Sequence, residues 1–376
     1  MEKKSFTEKF RGLHAWQKAG VIIGTMALVG GGAGAVVYTT INGSNVGSDS
    51  SSVGDGAEGV AATTLSGSTE TITLSSGENL ISKAGIYRVT GSVSGYIRIN
   101  AGDKDEVKII LDNVTIKNSS GPAIYVESNG NTYIELVGTN IIEATTSETL
   151  KGAIHSKADL SISGDGTLNI TSSIHGIVCK DDLEIDSGTF VIKAGEDAIN
   201  TNDSATFKGG NFAITADGDG IHTDGYLEID DGKFNITARE GLEATYLKIN
   251  GGDVTISASD DGINAANKSS EYEITVEING GNVTILMGAG DTDGIDSNGN
   301  LYINGGVITI TGQSPFDYDG EAKYTGGKMI INGSETSEIT NQFGGMGPGG
   351  QGGQQGGGQQ GGQGGQPGGQ QRMMGR

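Results

Sequence analysis

A four-residue phrase recurs through the second half of this chain, and its interval limits the fold more than any other property of the sequence. It reads Asp197-Ala198-Ile199-Asn200, Asp219-Gly220-Ile221-His222, Asp261-Gly262-Ile263-Asn264 and Asp293-Gly294-Ile295-Asp296, with a degenerate copy, Glu240-Gly241-Leu242-Glu243, in the middle. The apolar member falls at 199, 221, 242 and 263, a spacing of 22, 21 and 21 residues. So regular a superperiod belongs to stacked units, each touching only its neighbours. The last copy arrives 32 residues on, at Ile295, which places an insertion over Lys268 to Thr275.

Each period holds three short alternating runs. Leu183-Glu184-Ile185, Leu227-Glu228-Ile229, Leu247-Lys248-Ile249 and Val276-Glu277-Ile278 put two apolar residues on one face and a charge on the other. A two-residue turn comes next (Ser187-Gly188, Asp231-Gly232, Gly251-Gly252, Gly280-Gly281), then a second strand such as Phe190-Val191-Ile192 or Phe234-Asn235-Ile236. The acidic turn and its isoleucine open the third. Three strands and three turns in 21 or 22 residues predict an all-β chain, a single-stranded parallel β-helix, right-handed by the general preference of parallel crossovers. A leucine-rich repeat would need helical spacers that are absent, and a sandwich would show hairpins without the long period.

The flanks differ. Residues 1–18 are basic and 19–38 carry no charge, which is either an uncleaved anchor or a signal peptide cut after Ala33-Gly34-Ala35; both export the rest of the chain. Residues 39–62 read as a flexible linker, 63–343 as the β-helix domain with capping strands at its N-terminal end, and 344–376 as a Gly/Gln-rich extension that cannot bury enough apolar area to fold. Phe316, in Ser314-Pro315-Phe316-Asp317, stands in the isoleucine position of one more coil. Cys179 is the only cysteine, so no intrachain disulfide forms, and it reads as core filler.

With 46 acidic against 24 basic residues, the formal net charge is -22, which disfavours nucleic acid and anionic membranes and favours cations or neutral ligands. Equivalent residues of successive coils lie about 4.8 Å apart, so the acidic turns stack into a ridge. Two carboxylates at that distance repel by roughly 1 kcal/mol in water and by several times that when desolvated. A run of them calls for a counter-ion, and Ca–O distances of about 2.3–2.6 Å suit an ion held between two coils. The candidate ligands are Asp197, Asp217, Asp219, Asp260, Asp261, Asp291 and Asp293 from the turns, with Asn200, Asp224, Asn264 and Asp296 after the isoleucine. All are hard oxygen donors, and no Cys/His cluster offers zinc a site. The competing reading is a solvated acidic edge.

The run Ile81 to Tyr87 through Gly91-Ser92, the segment from Val107 to Ile116, the D-G-I turns and the Gly/Gln tail together resemble the bacterial secreted carbohydrate-binding β-helix family described from cellulolytic clostridia. The resemblance covers about residues 63–343 and implies calcium binding, recognition of cellulose and of acidic sugars such as polygalacturonate, and a fold like that of family 9 pectate lyases. Carried over, the family's calcium ligands fall on Asp197, Asp219, Asp261, Asp293 and their Asn/Asp followers. The copy at Glu240 departs from the pattern, with Arg239 beside it as a neutralising charge.

The expectation is therefore an extracellular or cell-surface, non-catalytic binder of acidic polysaccharide with calcium as its cofactor. The alternatives are a calcium-dependent pectate lyase and a structural stalk or adhesin. A lyase needs a base beside the calcium, for which only Lys193 and Arg239 lie near the ridge, and neither recurs. Both stand also as carbohydrate contacts. Tyr226 and Tyr246 occupy equivalent positions and could stack as a two-ring strip for sugar or simply cover the solenoid edge. Trp16, the only tryptophan, lies in the export segment, so cellulose rests on the resemblance alone.

Overall fold

The computed structural model describes residues 65, 67–288 and 292–341. The basic stretch, the apolar segment, the linker, the Gly/Gln tail and Asp291 lie outside the described residues. Among the described residues every regular element is a strand, and the strands stack into three parallel sheets that form the faces of one solenoid. One coil illustrates the path: Ile199–Thr201 on sheet B, Ser204–Phe207 on sheet A, Asn211–Ala216 on sheet C, then the acidic turn leading to Ile221–Thr223, which pairs with Ile199–Thr201.

Period-two alternation sends every second side chain inward, and parallel register stacks like on like. On sheet B the repeated apolar residue runs Ile177, Ile199, Ile221, Leu242, Ile263, Ile295, Phe316 in unbroken Cα register. All seven are buried. Sheet C contributes an aromatic stack: Phe212 lies parallel between Phe190 and Phe234, with centroids 4.7 and 4.5 Å away, and Phe207 of sheet A meets Phe212 and Phe234 edge-on. Cys179 is core filler, fully buried, and burial pushes its thiol up to about 12.

Glycine serves two separate purposes. In the turn from sheet A to sheet C, Gly188, Gly232, Gly252 and Gly281 have φ between +80° and +123°, a region only glycine enters without cost. The glycine of the acidic phrase has no such φ. There the space is the constraint: a Cβ at Gly294 would lie 2.6 Å from Ile310 Cγ2 and 2.7 Å from the Pro315 carbonyl, and one at Gly262 would lie 2.5 Å from the Gly294 carbonyl and drive into Ile285 Cγ2. The sheet C isoleucine and the next coil press on this position together, which is why Gly220, Gly241, Gly262 and Gly294 stand between the carboxylate and the apolar residue of their phrases; Ala198 is the exception.

Residues 69–100, expected as capping strands, lie at the N-terminal end as coils of the same parallel ladders: Thr69–Thr73 pairs Gly85–Thr90, and Gly77–Ile81 pairs Ser92–Asn100. The C-terminal end closes differently, with Lys328–Ile331 pairing antiparallel to Ser334–Thr336. The insertion expected between Lys268 and Thr275 is divided. Ile249 pairs with Ile278 across the 266–274 loop, and the remaining extra residues fall between Met287 and Asp293, inside the acidic turn itself.

Candidate functional site

Two columns build the ridge. The turn column carries Asp197, Asp219, Glu240, Asp261, Asp293 and Ser314. The outward column of sheet B carries Asn200, His222, Glu243, Asn264, Asp296 and Asp317 in direct register. Turn carboxylates are fixed by the next coil: the Asp219 amide donates to Asp197 Oδ1 at 2.9 Å, the Asp293 amide to Asp261 Oδ1 at 3.2 Å, and the Ser314 hydroxyl to Asp293 Oδ1. Within the first coil Asn200 Nδ2 donates to Asp197 Oδ2 at 2.9 Å.

The middle of the ridge is neutralised by the protein itself. Arg239 lies 3.0 Å from Asp219, 2.5 Å from Glu240 and 2.6 Å from Asp260. His222 sits 3.2 Å from Asp219, 2.5 Å from Glu243 and 3.2 Å from Asp224, and Lys268, from the inserted loop, reaches Glu243 at 2.7 Å. Burial opposes charge on His222, but hydrogen bonds to Asp219 and Glu243 outweigh it and push its pKa up to about 10. Burial likewise opposes ionisation of Glu243, yet His222 and Lys268 hold it down at about 2. In the trio Asp197, Asp219 and His222 the ligand atoms lie within 4.8 Å of one another and Asp219 is ion-paired to His222; in the trio Asp219, Glu240 and Glu243 the carboxylates are ion-paired to Arg239, His222 and Lys268.

The lower ridge differs. Burial, reinforced by the charges of Asp260, Glu240 and Asp293, pushes Asp261 up to about 7 despite the Asp293 amide. Burial, then Asp261, Asp317, Asp293 and Asp319, does the same to Asp296. No cation stands among these causes. Asn264, in the coil of Asp261 and in register with Asp296, is only 9% exposed; its Nδ2 donates to Glu240 Oε2 at 2.9 Å while its Oδ1 has no hydrogen-bond partner. Thr292 Oγ1, in the turn carrying Asp293, is a second buried oxygen without a partner. Orphaned buried carbonyls are rare in folded proteins. The donor set here, carboxylate and amide oxygen with neither nitrogen nor sulfur, suits a hard divalent cation such as calcium.

The other expected site residues are dispersed. Asp217 is exposed at the sheet C end of its turn, and Asp224 meets the ridge only through His222. Lys193 lies on the outer face of sheet C, in register with Thr171 and Thr215. Tyr226 and Tyr246 pair in register with centroids 5.4 Å apart, but Tyr272 of the inserted loop stacks on Tyr226 at 5.9 Å, leaving Tyr226 8% exposed. The Tyr246 hydroxyl donates to Glu277. Tyr226 is thus covered, while Tyr246 and Tyr272 stay half-buried.

Sequence reasoning passed over Glu240, Glu243 and Lys268 as site residues, and also a second acidic group on the edge of sheet A. There Asp159, Asp181 and Asp182 bring ligand atoms within 4.8 Å of one another, and burial followed by Asp181 pushes Asp159 up to about 6. The signal was present: acidic residues directly precede Leu160 and Leu183, which are register partners.

The profile of a family described as carbohydrate-binding domain-containing protein matches residues 75–247 and 227–342. A carbohydrate-binding domain-containing protein of Acetivibrio thermocellus is 30% identical over 189 residues; the match covers 47% of this chain and spans 64% of that relative's length. A solved structure described as the polysaccharide lyase-like protein from C. thermocellum, as a gadolinium derivative, is 21% identical, with a TM-score of 0.36 over 71% of this chain and 94% of that one.

Proposed function

This chain belongs to the family of carbohydrate-binding domain-containing proteins, and from that premise we propose that it is a non-catalytic, extracellular binder of acidic polysaccharide that uses calcium held on the lower ridge. Asp261, Asn264, Asp293 and Asp296 hold the ion. The observation that carries this reading is the buried, unpartnered Oδ1 of Asn264, which belongs to the coil of Asp261 and stands in register with Asp296, two carboxylates that have no ion-pair partner among the described residues. Bound calcium supplies a Lewis-acidic positive centre. It would bring a uronate carboxylate to a protein surface whose charge otherwise repels it.

The lyase alternative needs a basic side chain free to take a proton beside the ion. Arg239 and Lys268, the basic groups on the ridge, are engaged by carboxylates that raise their pKa values against burial, and Lys193 is on another face. This favours binding over catalysis. The test is isothermal titration of the full chain with polygalacturonate, in calcium and in chelator, with absorbance monitored at the band of the unsaturated product. Calcium-dependent heat without growing absorbance is expected. Growing absorbance would make the protein a lyase, and no heat in either condition would leave a structural stalk.

A further inference from the structure

Among the described residues five large aliphatic side chains are well exposed, and four of them, Ile141, Val191, Leu286 and Val307, stand on the outer face of sheet C at 36–44% exposure. Apolar surface gathered on one face marks a place where something docks. The face is also flat. From the 189–194 strand to the 307–311 strand the pairing is parallel and without register shift, and successive rings of Phe190, Phe212 and Phe234 beneath it lie within 5° of parallel. The outward positions of these strands carry only three charges, Lys193, Lys233 and Asp253, although the chain has 46 acidic residues. Lys233 and Asp253 are register partners in neighbouring coils. Asn282 Nδ2 donates to Asp253 Oδ1 at 2.7 Å, and Lys233 makes no salt bridge among the described residues.

We propose that this face pairs two copies of the chain about a twofold axis that runs along the strands, between the 233–238 and 253–258 strands. Charge selects the occupant and the axis together. A chain of net charge -22 repels its own copies, so two can meet only where carboxylates are few, and Asp253 is the only one in the overlap. Because Lys233 and Asp253 share a row on adjacent strands, an axis between them sets each copy's Lys233 against the second copy's Asp253, and the ion pair forms twice. The overlap takes in the strands from 189–194 to 307–311 and buries Val191, Leu286 and Val307; Ile141 lies beyond it. Six strands at about 4.8 Å, each about 17 Å long, give roughly 500 Å² of outline in each copy. The total of about 1,000 Å² is the lower limit of a specific interface, which predicts a dimer of micromolar strength. The ridge lies on sheet B, so pairing through sheet C leaves it open in both copies, and a polymer that engages one ridge can engage the second.

Sedimentation velocity of the full chain, in chelator and without polysaccharide, tests the pairing independently of the calcium reading. The wild type is expected as a concentration-dependent dimer. Lys233→Asp sets aspartate against aspartate and Asp253→Lys sets lysine against lysine, so each variant should dimerise at least about tenfold more weakly. An equimolar mixture of the two restores both ion pairs across the interface and should recover the dimer. Leu286→Arg, at the apolar part of the overlap, should also weaken the wild-type dimer at least about tenfold. Thermal midpoints at the wild-type value would show that all three variants are folded. A wild type that stays monomeric at every concentration would overturn the proposal. Variants that associate as the wild type does would also overturn it, by placing self-association in another part of the chain, and a mixture no more dimeric than its components would rule out the twofold axis.

Discussion

If the lower ridge holds calcium, protons and calcium must compete for it. Asp261 and Asp296 have an ordinary value of 3.8 and are each pushed up to about 7. A carboxylate with a raised folded pKa keeps its proton while the unfolded chain has already lost its own. In chelator, stability should therefore fall as pH rises from about 4 to about 7 and level off above that. With the solvent screening that half-buried groups receive, the two together are worth on the order of 2 kcal/mol. Calcium reverses the sign of the problem at high pH. At pH 8, with calcium at 100 times its Kd, it adds about 2.7 kcal/mol. At pH 5 only about 1% of either carboxylate is ionised, so the apparent Kd rises by about 100-fold for each one needed, and the same calcium adds about 0.4 kcal/mol or less.

Asp296→Asn sharpens the test, because it removes the charge and keeps the shape. The variant should be more stable than wild type in chelator at pH 8, by on the order of 1 kcal/mol, and should lose most of its response to calcium. Thermal unfolding at pH 5 and pH 8, with calcium and with chelator, measures all of this. A calcium shift equal at both pH values, or an Asp296→Asn variant that is less stable in chelator yet still responds to calcium, would refute the reasoning.

His222→Asn should lower stability in chelator most below pH 6.5. The advantage of the histidine, whose pKa rises from 6.5 to about 10 on folding, is complete there and is lost as pH climbs through 10; a gap between the two melting curves that widens from pH 6 to pH 9.5 would contradict the charge assignment. Gly262→Ala should cost about 1–3 kcal/mol by overpacking against Ile285 and the Gly294 carbonyl, whereas Ala198→Gly, at the equivalent position, should cost only about 0.5–1 kcal/mol; equal losses in denaturant titrations would mean that space is not the constraint. Phe212→Ala removes the middle ring of the aromatic stack and should cost about 3–5 kcal/mol, with a loss under about 1 kcal/mol showing that neighbouring coils close over the gap.

Periodicity made the fold legible. Inward residues such as Ile221 and Leu227 repeat because parallel register demands it, and the 21- and 22-residue spacing states the coil length directly. What lay outside the period was harder to read. The Lys268 to Thr275 insertion gave no sign that Lys268 would reach Glu243 or that Tyr272 would cover Tyr226, because a loop's landing place is not encoded in a repeat. The extra residues before Asp293 merged with that insertion, since a longer interval reports how much is added and not where. In the ridge, listing oxygen donors by position could not separate a site from a salt bridge. Arg239 was visible as a neighbour of Glu240, but its reach to Asp219 and Asp260 in the coils on either side arises only from stacking.

That separation bears on how one repeated motif does two jobs. Charge stacked at one strand spacing has to be cancelled in every coil, and the ridge offers two ways of doing so. Around Asp219 and Glu243 the cations are covalent parts of the chain, so those coils are stable whatever the solution holds. Around Asp261 and Asp296 no such cation is supplied among the described residues, and Asn264 presents an oxygen with no hydrogen-bond partner there. A built-in cation spends its donors on protein carboxylates and has little left for a ligand, whereas calcium accepts six to eight oxygens and can take some of them from outside the protein. Under the proposed function, then, the coils that look weakest in isolation are the ones fitted to hold sugar, and Asn264→Lys should stabilise the ridge in thermal unfolding while abolishing calcium-dependent polygalacturonate binding.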